Sequence, residues 1–336
     1  MVLDDTKTRM LTFCLSEDRQ NLEPGLRLAI GSIRRHCPNS QVVLYMAAPT
    51  SEFSEWLQRF PEVTIVHHAP PGGSVWNCKP HALLPLLREG RREVVWLDSD
   101  VLLAADPREC LTTGSDAELV VCEEYRGAPD PGSEIRTRAW NLPIGRRFPR
   151  TLNSAVLRVT TIHIPLLKRW AELLEDPRYQ HWQTQDFSQR PIHCWSDQDA
   201  LTALMGSQEF AHVNVRILKT GRNVIHCLSY TSFPVSERLG CLLGDRPTFV
   251  HAQGEKPWVL LRPEVRTHLS RRRSLLQEVS PYRLLARGFR DSLGSDDQWL
   301  WGGSFIGRTL CCLGLGHFAL VGLPSAALAA LAKCFR

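Results

Sequence analysis

The sequence predicts an α/β fold built on a doubly wound layer of strands and helices. Strand-length apolar runs alternate with helix-length segments from Leu11 to Leu103, the order that sets strands side by side with helices packed over them. The fourth of these runs ends in Asp98-Ser99-Asp100, and ligands in such sheets gather at the carboxyl ends of the strands. The chain has 336 residues, 43% hydrophobic and 22% charged, which suffices for a substantial core.

Residues 11–15, Leu-Thr-Phe-Cys-Leu, form the first expected strand, followed by a polar loop over 16–21. A helix is expected over 24–36. Pro24 suits its first turn, where the missing N–H is not needed, and Leu26, Leu28, Ile30 and Ile33 give it an apolar side. Strands at 41–46 and 63–67 bracket a short helix at 51–60. Pro70-Pro71-Gly72-Gly73 breaks the pattern. A helix over 79–89 then feeds the strand before Asp98. Residues 117–122 and 153–159 read as strands. Between them, 123–150 is rich in Pro, Gly and Arg and reads as a long irregular lid or acceptor-facing insert. An amphipathic helix at 164–175, a helix starting at Asp197, and late strands at 213–218 and 248–251 complete the expected set.

The formal net charge of +5 is modest. It suits an anionic nucleotide substrate or an anionic membrane surface without selecting either. No nucleic-acid module is recognisable, so nucleic acid is not an expected partner; the short clusters Arg146-Arg147 and Arg271-Arg272-Arg273 read as solvated faces. The eleven cysteines form no C-x-x-C pair and no zinc spacing. The first residues, Met-Val-Leu-Asp-Asp-Thr-Lys, lack the basic region and long apolar core of a signal peptide. A reducing, cytoplasmic setting is therefore expected, with peripheral attachment to the inner face of the cytoplasmic membrane as an added expectation. That addition rests on residues 310–332, which are nearly uncharged and close to bilayer-spanning length. Trp299, Leu300, Trp301, Phe305 and Arg308 would suit an interfacial anchor. Packing of this tail on the folded domain is the competing expectation.

Asp98 and Asp100 follow an apolar strand and project the same way if that strand continues through them. Two hard carboxylate donors at a strand end suit Mg²⁺ or Mn²⁺, with phosphate completing the shell. Turn formation or helix capping accounts for such a tripeptide equally well when it stands alone. Three further motifs follow in order: Leu152-Asn153-Ser154-Ala155-Val156-Leu157, Ser196-Asp197-Gln198-Asp199-Ala200-Leu201, and His251-Ala252-Gln253-Gly254-Glu255-Lys256-Pro257-Trp258. Over roughly residues 9–260, this ordered set resembles retaining glycosyltransferases of the GT-A fold, in particular family 8. That family includes glycogenin-like enzymes and bacterial lipopolysaccharide galactosyl- and glucosyltransferases.

The resemblance implies a GT-A, Rossmann-like nucleotide-diphospho-sugar transferase fold with a mixed central sheet. It implies that Asp98, Asp100 and His251 bind a divalent ion that bridges the phosphates of a UDP-sugar, with Mn²⁺ expected and Mg²⁺ as the alternative. Lys256 would contact the diphosphate as a point charge on a flexible stem, and Gly254 would let the backbone approach closely. A turn, with Trp258 as core packing, is the alternative for that loop. Lys79 is a second phosphate candidate or an ordinary surface lysine. Leu15 and Glu17 mark the base-binding end, where Ser16-Glu17-Asp18 departs from the family's small residue and aspartate; Ser99 shapes the turn, near the family's ribose contact. Asp197 and Gln198 map onto the reacting centre, Asp197 toward sugar hydroxyls and Gln198 presenting its carbonyl. Asn153 is a donor or acceptor contact, or a strand-edge asparagine. Ser196 and Asp199 also read as an N-cap and its acidic partner three residues on. Arg158 reads as a structural or surface residue rather than a catalytic one.

The expected organisation is a GT-A catalytic domain over residues 1–265, a basic helical linker over 266–308, and an apolar tail over 309–336 as a candidate membrane-associated segment. The expected function is metal-dependent transfer of a hexose from a UDP-sugar to a saccharide or lipid-linked acceptor, with retention. A non-catalytic nucleotide-sugar or glycan-binding protein, or a transferase of another GT-A family, is the alternative.

Overall fold

A computed structural model describes residues 10–70, 76–112, 114–124, 130–229, 232–261 and 271–334. Part of the Pro-Gly break, residues 125–129 of the insert and the first residues of the expected linker lie outside these. The strands are β1 (Thr12–Ser16), β2 (Gln41–Tyr45), β3 (Val63–Val66), β4 (Glu93–Leu97), β5 (Val101–Leu103), β6 (Leu119–Glu123), β7 (Leu152–Thr160), β8 (Val215–Leu218), β9 (Val224–His226) and β10 (Phe249–His251). The chain divides into two compact units and crosses between them five times, one crossing falling between Asp98 and Ser99.

The first unit holds a seven-stranded sheet in the order β3-β2-β1-β4-β7-β6-β8. The β1, β2, β3 and β4 pairings are parallel, whereas β7 runs antiparallel to both β4 and β6, so the sheet is mixed. Strand β4 is buried along its whole length, Glu-Val-Val-Trp-Leu, as expected of a strand covered on both faces. Its one acidic residue, Glu93, is neutralised by the buried Arg158 at 2.9 Å, and Arg158 also donates to the carbonyls of Ser115 and Glu118. Arg158 is thus a structural residue. The helix Ile164–Glu175 buries Leu166, Leu167, Trp170, Leu173 and Leu174, the 3.6-residue stripe that its sequence spells out. These side chains join Cys14, Val94, Trp96, Val121, Leu157 and Leu201 in one core.

The insert departs from the expected irregular segment, because Gly132–Ala139 is a helix. Its sequence hid it: the buried residues are Gly132, Ser133, Arg136 and Thr137, so no apolar stripe announces the helix. Polar bonds take the place of that stripe. Arg136 ion-pairs with Asp199 at 2.8 Å and Asp130 at 3.2 Å, and the Thr137 hydroxyl donates to the Ala203 carbonyl.

The second unit holds the three-stranded sheet β5-β10-β9, with β10 antiparallel to β5 and parallel to β9. Its core gathers Leu28, Leu102, Ile225, Val250, Trp258, Tyr282, Phe289 and Trp299. Trp299 and Leu300 are therefore core residues, not interfacial anchors: Trp299 is 3% exposed and Leu300 has no exposed surface. Trp301 and Phe305 remain open to solvent at 50% and 78%.

The tail forms two helices, Phe305–Leu313 and Leu323–Cys334. Between them Leu315 and Gly316 adopt left-handed φ angles of 47° and 70°, which end one helix before the next begins. Among the described residues no helix is long and apolar enough to cross a membrane. Ala319 lies in the second core, and the buried Arg238 donates to the carbonyls of Ala319 and Val321 at 2.8 and 2.6 Å.

Candidate functional site

In the first unit the end of β4 meets the start of β7. The Asp98 N–H donates to the Ala155 carbonyl at 2.9 Å, which puts the aspartate beside Ser154. Lys79 opens the helix Lys79–Arg88 and is buried. Its ammonium lies 3.1 Å from Asp98 and 3.4 Å from Asp197, and it donates to the Ser154 hydroxyl at 2.7 Å. That hydroxyl donates in turn to Asp197 at 2.8 Å, and the Trp96 indole N–H donates to Asp98 at 2.6 Å. Burial alone would lower the lysine's pKa, but Asp197 and Asp98 outweigh it and hold the ammonium charged. Burial raises the pKa of Asp197, with Asp98 adding repulsion and Lys79 opposing both. One buried cation therefore serves two carboxylates.

Asp197 begins the helix Asp197–Gly206. The expected capping box is present: the Asp199 carboxylate accepts the Ser196 N–H at 3.0 Å. Next to it, Glu124 binds two of the candidate residues at once, accepting from the Asn153 amide at 2.7 Å and the Gln198 amide at 2.9 Å. The Asn153 oxygen accepts the Ala155 N–H at 2.9 Å, so the side chain is fixed from both ends. The β6–β7 pairing shifts register between Val121 and Cys122, which sets Asn153 opposite Cys122. Irregularities of this kind re-aim side chains near sites.

The second unit carries its own polar cluster. Antiparallel pairing places His251 of β10 opposite Val101 of β5, and the Ala252 N–H donates to the Asp100 carbonyl at 2.9 Å. The His251 imidazole then lies 3.3 Å from the Asp100 carboxylate, and the Lys256 ammonium ion-pairs with the other oxygen of that carboxylate. Burial would push the Asp100 pKa up, but Lys256 and His251 overcome it and hold the carboxyl well below its usual range. Gly254 has φ 81°, a left-handed turn between the imidazole and the lysine that glycine adopts without strain.

The helix Glu23–His36 approaches this cluster at Gly25, where a Cβ would lie 2.7 Å from the Trp258 ring and 2.8 Å from the Ser99 carbonyl. Gly25→Ala is expected to cost about 1–3 kcal/mol of stability by overpacking and displacement of the backbone before Asp100. Gly31→Ala on the same helix meets only the end of the Ser292 side chain, at 2.7 Å, and should be milder. Thermal unfolding of the two variants checks this; equal losses would contradict it.

The structure brings Lys79, Asp98 and Asp197 together, joins Asn153 to Gln198 through Glu124, and joins Asp100, His251 and Lys256. Leu15 is fully buried in β1, and Ser99 is buried at 8% exposure. The Glu17 carboxylate is engaged by Arg19 at 2.7 Å. Sequence reasoning missed Glu124, Ser154 and His226. A signal existed for His226: β9 reads Val-Ile-His and β10 reads Phe-Val-His, two short apolar strands ending in the same residue.

No family model and no curated protein matches the sequence. Solved structures do. The galactosyltransferase LgtC, in complex with donor and acceptor sugar analogues, superposes with a TM-score of 0.51 at 15% identity, over 89% of this chain and 99% of that one. The apo bifunctional glycosyltransferase WbbM gives a TM-score of 0.50 at 15% identity; the match takes in 77% of this chain and 48% of WbbM, so the chain spans about half the length of that protein. The chain has the GT-A glycosyltransferase fold.

Proposed function

We propose that the protein is a metal-dependent glycosyltransferase that moves a hexose from a UDP-sugar to a saccharide or lipid-linked acceptor with retention. The observation that carries this reading is Asp100, a buried carboxylate kept ionised between an imidazole and an ammonium. Asp98 stands two residues before it in the chain. Asp98, Asp100 and His251 are the proposed ligands of the divalent cation. Two carboxylates and one imidazole form a donor set suited to Mn²⁺, with Mg²⁺ as the alternative. When bound, the cation would offset charge on a departing diphosphate.

The chain's own residues do the remaining work. Lys256 is the mobile cation that can exchange Asp100 for a phosphate oxygen. Lys79 fixes the charge of Asp197 and orients it through Ser154. Glu124 holds the Gln198 amide nitrogen, which leaves the carbonyl oxygen as the dipole available to stabilise an oxocarbenium-like centre. The test is incubation with UDP-glucose, UDP-galactose and related donors plus Mn²⁺, following product mass, product anomer and UDP release together. Transfer with retention is expected. Absence of binding and turnover with every nucleotide sugar would end the proposal, whereas tight binding without transfer would favour the non-catalytic alternative.

A membrane surface is the proposed further partner. Phe305, Ile306, Leu313 and Leu315 are 61–83% exposed, and residues 309–332 carry no charge apart from His317 when protonated, as suits an interfacial segment. Co-sedimentation with anionic vesicles at low salt is expected; protein that stays in the supernatant would contradict it.

A further inference from the structure

His226 is a fully buried histidine that touches the second unit's cluster and that the proposed chemistry leaves without a task. Strand pairing fixes its position. In the parallel β9–β10 ladder His226 and His251 are register partners, and the Cys227 N–H donates to the His251 carbonyl at 2.8 Å. The two rings stand edge to face, with centroids 5.2 Å apart and planes at 68°. Their Nδ1 atoms are 3.0 Å apart.

Two lone pairs, or two N–H groups, facing each other at that separation repel, so a single proton lies between the rings. Its owner decides what His251 can do. The Nε2 atom of His251 faces the Asp100 carboxylate at 3.3 Å. A neutral imidazole binds a cation at Nε2 only when its proton is on Nδ1.

We propose that His226 is a positioning residue for the cation site: its Nδ1 accepts the Nδ1–H of His251, which fixes the ring with Nε2 as the atom offered to a divalent ion. His226 then carries its own proton on Nε2. The inference rests on the metal-site reading of Asp100 and His251. It assigns to this chain an imidazole in the role that carboxylates and backbone carbonyls usually fill behind metal-binding histidines.

Mn²⁺ binding in the presence of UDP, measured by electron paramagnetic resonance of the free ion, tests this on four full-length proteins. In His226→Asn the amide oxygen can occupy the place of Nδ1. In His226→Gln it falls near the place of Nε2, and His226→Leu has no acceptor. Circular dichroism melts establish that each variant is folded. The Gln and Leu variants are expected to lose roughly 10–100-fold in Mn²⁺ affinity, while the Asn variant stays within about threefold of the parent protein. Should the Leu variant not fold, Asn against Gln carries the comparison. Parent-like affinity in folded Gln or Leu variants, or an Asn variant as weak as Leu, would overturn this role for His226 and leave the metal site standing. A parent protein that binds no Mn²⁺ would overturn the metal site and this inference with it.

Discussion

Replacing Asp100 by Asn is expected to weaken Mn²⁺-dependent UDP-sugar binding by at least about 100-fold, because even residues behind a metal ligand are worth about 10–100-fold. Transfer should fall with it. The cause is charge: Asn keeps the shape and the backbone bond to Ala252, but removes the anion that His251 and Lys256 share. The fold should tolerate the change. Lys256 is 19% exposed at its side chain and can turn its ammonium toward water, so no buried charge is stranded. Titration of Mn²⁺ and of a UDP-sugar into the variant, with a thermal melt beside them, checks both halves. Parent-like binding would contradict the assignment, and gross unfolding would assign Asp100 a structural role.

Lys79→Met is expected to differ in one respect, with stability falling together with transfer. The side chain is 4% exposed and serves Asp98 and Asp197 at once. Removing one partner of a buried ion pair strands the other and costs about 3–5 kcal/mol. The pH dependence has a definite sign. Asp197 already has a raised pKa from burial, which Lys79 opposes, and loss of the cation raises it further. A carboxyl whose folded pKa exceeds its unfolded value binds more protons in the folded state between the two, so stability rises as pH falls through that window. The stability gap between parent and Lys79→Met should therefore narrow from pH 7.5 toward pH 5. Adding Asp197→Asn should recover part of the loss at neutral pH, since the two sites are in contact. Unfolding midpoints across pH would contradict this if the gap stayed constant or widened.

These two lysine and aspartate clusters mark how far the sequence could be read. The strands and helices around β4 were legible because buried parallel strands and amphipathic helices carry periodic apolar signals, as in Glu93–Leu97 and Ile164–Glu175. The helix Gly132–Ala139 was not, because its packing is polar and its partners, Asp199 and Ala203, lie some sixty residues on in the chain. The separate sheet formed by β5, β10 and β9 was also hidden. Strands of three residues carry too little pattern, and Val101–Leu103 reads as a continuation of β4 until its pairing with β10 is seen. That pairing is what brings His251 to Asp100 across a long stretch of chain. The motifs named the candidate residues, but not their supports. Ser154, Glu124 and His226 act through contacts that no spacing encodes. In the tail, composition suggested a membrane-associated segment or one packed on the domain, but not the bonds from Arg238 that tie it down or the break at Leu315 and Gly316 that divides it.

The most direct measurement of the central claim is an isothermal titration of UDP into the full-length protein with Mn²⁺ and again with a chelator. Saturable binding that needs Mn²⁺ and disappears in Asp100→Asn is expected. Equal binding with and without the ion, or no binding in its presence, would contradict a metal-dependent nucleotide-sugar site.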